Sequence, residues 1–240
     1  MNRWKGADLI PWLTDNAPFP PVEQALRTPN GLLAAGGGLS GMRLLDAYRH
    51  GIFPWFNPGD PVLWWSPDPR MVLFPGEIRI SRTLARILKK GLHSVRFDTA
   101  FEQVMRACAA PRKGHQGGTW ISEDMIAAYC ALHRLGYAHS VEVWIEGKLA
   151  GGVYGVSIGR MFYGESMFSR VSNASKIALA HLAGQIERWQ FGMIDCQMHT
   201  PHLASLGARE IPRNEFIASL QELVHCAPVA DWKFDPDLFT

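Results

Sequence analysis

The sequence predicts an α+β fold: a mixed sheet with flanking helices, preceded by a small N-terminal domain rich in proline and aromatic residues. Three observations carry this reading. Residues 1–75 hold eleven of the sixteen prolines, a density that denies long helices and central strands. Between residues 140 and 168, three apolar stretches are separated by two tight turns, as in a β-meander. A capped helix, a strand, a helical turn and another strand follow, and this succession describes an α+β domain. The change of texture places the division at residues 1–70 and 71–240, consistent with 240 residues at ~150 per domain.

In chain order, the N-terminal region reads as turns and short strands around one helix. Ser40 is its N-cap, Leu44, Leu45 and Tyr48 share a face, and Gly51 stops it. An aromatic cluster follows, from Gly51-Ile-Phe-Pro-Trp-Phe56 to Trp64-Trp-Ser-Pro-Asp-Pro-Arg70. Ser81 caps a helix with Leu84, Ile87 and Leu88 on one face, ending near Gly91. Another helix covers about Phe101 to Ala109, and a third runs from its Ser122 cap to Leu135, before Gly136. The meander strands are Ser140 to Ile145, Leu149 to Val156 and Met161 to Phe168. A helix from Asn173 to about Gln190 precedes a strand at Met193 to Met198. His202 to Leu206 forms a helical turn, and Ala208 to Ile211 is the last strand.

Composition excludes several classes. Hydrophobic residues are 47% and charged residues 19%, which rules out global disorder. The longest charge-free stretch, Thr28 to Met42, contains five glycines and a proline and falls short of the ~20 apolar residues of a membrane span. The first eight residues lack the apolar stretch of a signal peptide. Cysteines 108, 130, 196 and 226 form no CxxC pair and read as reduced thiols of a cytosolic protein. The net charge of +2 means that any nucleic-acid binding must come from local clustering.

The motifs separate into weak and informative ones. Gly36-Gly-Gly-Leu-Ser-Gly41 satisfies GxGxxG, but its candidate acid, Asp60, lies in a proline-bounded turn where no second parallel strand can form. A flexible turn feeding a capped helix is the better reading. His199 and His202 flank Pro201 without a further ligand at metal spacing. Gly164-Glu-Ser-Met-Phe168 lacks the second glycine of a nucleophile elbow. By contrast, residues 79–96 carry six basic side chains and no acidic one. Arg82, Arg86 and Lys89/Lys90 fall on one helix face, either an ordinary solvated surface or a local field for phosphate. In Met193-Ile-Asp-Cys-Gln-Met198, alternation sends Ile194, Cys196 and Met198 to a core face and Asp195 and Gln197 to the other. Glu165 lies in a similarly apolar strand. Burying such groups unpaired is costly. They form either a structural hydrogen-bond network or a polar site on the sheet.

At this point the residues resemble one family, the leucyl/phenylalanyl-tRNA–protein transferases. The blocks that carry the resemblance include Pro29-Asn-Gly-Leu-Leu-Ala34, Gly51-Ile-Phe-Pro-Trp-Phe56 and Trp64-Trp-Ser-Pro-Asp-Pro-Arg70. Gly118-Thr-Trp-Ile121, His139-Ser-Val-Glu-Val-Trp144, Tyr163-Gly-Glu-Ser-Met-Phe-Ser-Arg170 and Ile194-Asp-Cys-Gln197 continue it. They run in family order from about residue 18 to 212. Gly38 departs from the family's Gly-Gly-Asp-Leu-Ser, and the region after about Leu220 matches poorly.

The resemblance implies a cytoplasmic, monomeric enzyme with an N-acetyltransferase-superfamily-like domain. It would move Leu or Phe from aminoacyl-tRNA to the α-amine of proteins with N-terminal Arg or Lys, marking them for degradation. The alternative is a related transferase acting on a peptidoglycan or small peptide acceptor. No cofactor or metal is implied. The loop Ser169 to Lys176 contains no glycine and lacks the pyrophosphate-binding pattern of acetyl-CoA enzymes. The resemblance further implies that Asp195, Gln197 and Glu165 carry the catalysis, with Asp195 and Gln197 at the attacking amine and Glu165 recognising the acceptor's cation. Tyr48, Trp55, Trp120 and Tyr129 match aromatic positions near the terminal adenosine and the apolar slot. For all four, and for Tyr129 on its helix face in particular, ordinary core is the competing reading. Arg82, Arg86, Lys89 and Lys90 are the candidate tRNA contacts.

Overall fold

The computed structural model describes residues 10–111 and 120–239. The first eight residues and Gly118-Thr119 of one motif lie outside them.

The proline-rich region builds a four-stranded sheet from short pieces. Its strands are β1 (Trp12–Leu13), β2 (Leu32–Gly36), β3 (Phe53–Pro54) and β4 (Leu63–Trp65), in the order β1-β2-β4-β3. Helix α1 (Gly41–Arg49) follows β2, and Ser40 caps it by accepting from the Arg43 amide. A strand therefore precedes the glycine loop and a helix follows it. However, β2 pairs antiparallel with β4, and Asp60 lies in the turn before β4. The parallel second strand of a dinucleotide fold is absent at this place. Trp64 is fully buried and donates its indole N–H to the Gly36 carbonyl, closing the strand against the loop.

From Arg70 onward the chain builds a seven-stranded mixed sheet. Strand β5 (Arg70–Leu73) comes first, then α2 (Arg82–Lys90), β6 (Ser94–Phe97), α3 (Phe101–Ala109) and α4 (Glu123–Arg134). The meander is β7 (Ala138–Ile145), β8 (Lys148–Ile158) and β9 (Met161–Ser169), close to the expected bounds. Helix α5 (Ala174–Arg188), β10 (Met193–Gln197), α6 (Pro201–Ser205), β11 (Arg209–Ile211) and α7 (Arg213–Leu223) complete the chain. The strand order is β11-β5-β10-β9-β8-β7-β6, and only β9 and β10 pair in parallel. That one parallel pair follows from the α5 crossover, since parallel neighbours cannot be joined by a hairpin.

Alternation along β8 divides the core between two layers. Val153 packs with Ile177, Leu179 and Leu182 of α5, whereas Tyr154 faces Phe101 of α3 and Tyr129 of α4. Helix α5 sits close on the sheet because Gly151 has no side chain: a Cβ there would lie 2.5 Å from that of Ala174.

Three elements went beyond the sequence reading. Strand β6 extends the meander at its edge by pairing with β7. Strand β5 enters the large sheet between β10 and β11, although the aromatic block leading into it reads as turns. Helix α7 buries Phe216 and Leu220 completely. Phe216 and Ile217 close on Gly51, where a Cβ would lie 3.0 Å and 2.5 Å from their side chains.

Candidate active site

A cavity of about 960 Å³ opens where β9 and β10 meet α5, the residues after α3 and the end of the small sheet. Its walls are mostly apolar: Phe162, Met167, Leu179, Leu182 and Ile194 from the sheet and α5, with Trp55 and Trp120 across from them. Glu165 and Gln197 line it together with Ser166, Ser169, Arg170, Ser175, Thr200 and His202. A largely apolar pocket with a few convergent polar groups is the usual form of a binding site.

Glu165 is 7% exposed. Its Oε1 accepts from the Tyr48 hydroxyl at 2.7 Å and from the Gln197 side-chain amide at 2.8 Å. Its Oε2 accepts from the Tyr129 hydroxyl at 3.0 Å, and the two tyrosine oxygens also lie within hydrogen-bond reach of each other, so two hydroxyl protons are shared among three contacts. Among the described residues, no Lys, Arg or His forms an ion pair with this carboxylate. Burial therefore pushes its pKa up to about 7, against the lowering effect of the two tyrosines. Burial and the nearby Glu165 charge hold both tyrosine hydroxyls well above the usual phenol range, so they act as donors.

Asp195 and Gln197 were expected side by side on one face, and here the structure corrects the sequence. A bulge breaks the ladder between them: Asp195 opposes Val72 and Gln197 opposes Met71. Asp195 is wholly buried and does not line the cavity. It receives the Arg70 guanidinium in a two-pronged pair, Nε to Oδ1 at 2.8 Å and Nη2 to Oδ2 at 2.6 Å. Its Oδ1 also accepts the Gln197 backbone N–H at 2.8 Å. Gln197 itself adopts φ +63, left-handed backbone that is unusual outside glycine. Strict alternation fails at this residue, and its amide reaches Glu165. Ile194, Cys196 and Met198, expected as plain core, all border the cavity.

The four aromatic candidates divide into two pairs. Trp55 and Trp120 line the cavity, and Trp55 is 37% exposed. Tyr48 and Tyr129 are completely buried behind Glu165 and offer no free face for a base. Their contribution is the pair of hydroxyls. The basic side chains Arg82, Arg86, Lys89 and Lys90 are all exposed on α2, which packs beside α5. Leu84 and Leu88 form the helix's buried stripe. His202 borders the cavity, and burial together with Lys176 holds its pKa below the usual imidazole value. Among the described residues, no three His, Cys, Asp or Glu side chains come together as a metal site. No helix among them is long and apolar enough to cross a membrane.

A family profile described as leucyl/phenylalanyl-tRNA protein transferase matches residues 72–221, and one for the N-terminal domain of the same family matches residues 37–68. The chain belongs to the leucyl/phenylalanyl-tRNA–protein transferase family. It is 63% identical over 228 residues to the transferase of Nitrosospira multiformis, covering 95% of this chain and 98% of that one. The transferase of Nitrosomonas europaea is 66% identical over 215 residues, covering 90% and 91%. Among solved structures, a GCN5-related N-acetyltransferase from Kribbella flavida aligns at 9% identity with a TM-score of 0.35, covering 69% of this chain and 59% of that one. This transferase places Tyr48 and Trp55 in the segment matched by the N-terminal profile. Glu165, Asp195 and Gln197 fall in the other.

Arg70 is the residue that sequence reasoning passed over. It closes the Trp64-Trp-Ser-Pro-Asp-Pro-Arg70 block, but nothing in one dimension links it to Asp195, 125 positions away. The available signal was a basic residue opening an apolar run, Arg70-Met-Val-Leu73, which needs a buried partner.

Proposed function

We propose that this transferase moves leucine or phenylalanine from its charged tRNA to the α-amine of proteins that begin with Arg or Lys. The new N-terminal residue would mark them for degradation in the cytoplasm. The observation that supports the acceptor most directly is Glu165: a buried carboxylate with three neutral donors and, among the described residues, no ion-pair partner. An arriving guanidinium or ammonium supplies the missing countercharge, and a charge-assisted hydrogen bond to a carboxylate is stronger than a neutral one. The apolar walls suit the side chain of the transferred residue. Trp55 and Trp120 provide surfaces for the tRNA's terminal adenosine, since base stacking on an aromatic is sequence-tolerant.

The chemistry requires little more than placement. The donor ester is already activated, and a free α-amine with a pKa near 7.7 is partly neutral at pH 7. The amine nitrogen bonds to the ester carbonyl carbon, the bond from that carbon to the tRNA's ribose oxygen breaks, and the proton lost by the amine ends on the departing ribose oxygen. Gln197 gives its N–H to Glu165, which turns its own carbonyl oxygen toward the amine as an acceptor. Positioning of this kind supplies a large share of the rate of a reaction with an activated donor.

Transfer of labelled phenylalanine from Phe-tRNA to two peptides, differing only in Arg or Ala at the first position, tests the reading. We expect transfer to the Arg peptide and a loss of roughly tenfold or more in that preference for Glu165→Gln, the value of a charged hydrogen bond. Equal transfer to both peptides by the unaltered enzyme would remove the assignment.

A further inference from the structure

We infer that Arg70 is a positioning residue for transfer, acting on the reacting groups through Asp195 and Gln197. This inference rests on the placement of Gln197 at the amine proposed above.

Arg70 is wholly buried, and every part of its guanidinium is held. Nε and Nη2 grip the two oxygens of Asp195, and Nη1 donates to the Gly51 carbonyl at 3.1 Å. The rings of Phe53 and Phe216 lie 4.8 Å and 4.6 Å from its central carbon, a cation–π arrangement on two sides. Phe53 belongs to the small sheet, Gly51 to the turn after α1, and Phe216 to α7. A planar fork gripping both oxygens fixes where the carboxylate points, which a point charge does not.

The consequence appears two residues along β10. The fixed Oδ1 of Asp195 accepts the backbone N–H of Gln197 and holds that residue at φ +63, beyond the bulge. Such conformations persist in residues other than glycine when the surroundings over-determine them. The held backbone aims the Gln197 amide at Glu165, 2.8 Å away. Asp195 thus has no direct contact with the cavity, and its two oxygens are already occupied. Small sheet, α7 and cavity floor are linked through one guanidinium.

The measurement is single-turnover transfer to the Arg-started peptide, alongside the KM for Phe-tRNA, for Arg70→Lys, Gln197→Ala and the double variant. Arg70→Lys keeps the charge but loses the fork. We expect its transfer rate to fall roughly 10–100-fold, as a small misplacement of reacting groups does, with KM for Phe-tRNA within about twofold. Because Arg70 acts through Gln197, adding Arg70→Lys to Gln197→Ala should produce little further loss. Full additivity, or an unchanged rate in Arg70→Lys beside a depressed one in Gln197→Ala, overturns the inference. A normal rate in Gln197→Ala instead removes the proposed role of Gln197 itself.

If Arg70→Lys does not fold, Arg70→Gln with Asp195→Asn carries the same test. It removes both charges together and strands neither, a change that buried pairs tolerate better than single truncation. A folded pair variant with a normal transfer rate overturns the inference, and a depressed rate that adds nothing to Gln197→Ala supports it.

Discussion

Tyr48, at the far end of α1, donates its hydroxyl to Glu165 on β9 at 2.7 Å. The two residues are 117 positions apart, and the contact ties the small N-terminal region to the cavity floor from behind. Tyr163 reinforces the junction by donating its hydroxyl to the Tyr48 carbonyl at 2.9 Å. A hydrogen bond to the charged form of a carboxylate lowers its pKa. Tyr48→Phe should therefore raise the pKa of Glu165 further above about 7. The expected result is an alkaline displacement of the rising limb of the kcat/KM profile with an Arg-started peptide. A limb at its original pH in the folded variant would show that Tyr48 does not govern this group.

Glu165 also leaves a signature in stability. Its folded-state pKa is raised from 4.5 to about 7, so the folded protein holds this proton more tightly than the unfolded chain does. The associated stability is fully present below pH 4.5 and is lost as pH rises to about 7, on the order of 3 kcal/mol. Glu165→Gln has no proton to lose. The difference in Tm, variant minus parent, should grow between pH 4.5 and 7 and stay level above about pH 8. In kinetics, kcat/KM of the parent should rise with two ionisations, Glu165 and the acceptor amine, whereas the variant retains only the amine's near 7.7. A constant Tm difference across this range would mean that Glu165 titrates at an ordinary carboxylate pKa.

The sequence made some of this legible and concealed the rest for identifiable reasons. Capping signals travel with the local chain, so Ser40, Ser81 and Ser122 mark the starts of α1, α2 and α4, and each accepts a backbone N–H three residues on. Turns behave likewise: Glu146 and Gly147 both take positive φ between β7 and β8. The polar residues in apolar strands, Glu165, Asp195 and Gln197, were visible because burial of such groups demands partners. What those partners would be was not visible. Arg70 meets Asp195 only because β5 lies beside β10, and that neighbourhood depends on the whole sheet order. The faces of Asp195 and Gln197 were misjudged because a bulge invalidates the period of two. Helix α7 was missed although Phe216, Leu220 and Leu223 follow a helical spacing. It begins directly after Pro212, with no local cap residue; its first backbone N–H, that of Arg213, is accepted by Asp68, 145 positions away.

The bend where β8 passes the site provides a stability test independent of chemistry. The β8–β9 register shifts between Tyr154 and Gly155. A Cβ on Gly155 would lie 2.1 Å from the Tyr163 carbonyl oxygen and 2.6 Å from the Phe162 ring. The carbonyl is backbone in a paired strand and cannot swing aside as a flexible side chain would. Gly155→Ala should destabilise the protein by roughly 2 kcal/mol or more, within the range of an overpacked core position. Chemical denaturation of the two proteins checks this. An unchanged midpoint would mean that β9 gives way at no cost.

The last prediction concerns the outer face of α2. Arg82, Arg86, Lys89 and Lys90 are exposed, and none of them forms an ion pair among the described residues. Surface lysines and arginines without acidic neighbours can neutralise phosphate at no cost in lost internal pairs. Binding through such contacts releases counterions, so affinity falls with salt at a slope that counts the phosphates engaged. Arg82→Glu with Arg86→Glu should weaken binding of aminoacyl-tRNA at low salt and flatten that slope by about one counterion for each lost contact. The transfer rate at saturating tRNA should change little, because α2 presents no residue to the cavity. Leu84 and Leu88, the buried side of the helix, are left untouched, so the fold should remain intact. Comparing the KM for Phe-tRNA of parent and variant across a series of salt concentrations decides the matter. Identical salt slopes would remove α2 from the tRNA interface, and a lower rate at saturation with an unchanged KM would place its influence on the reaction rather than on binding.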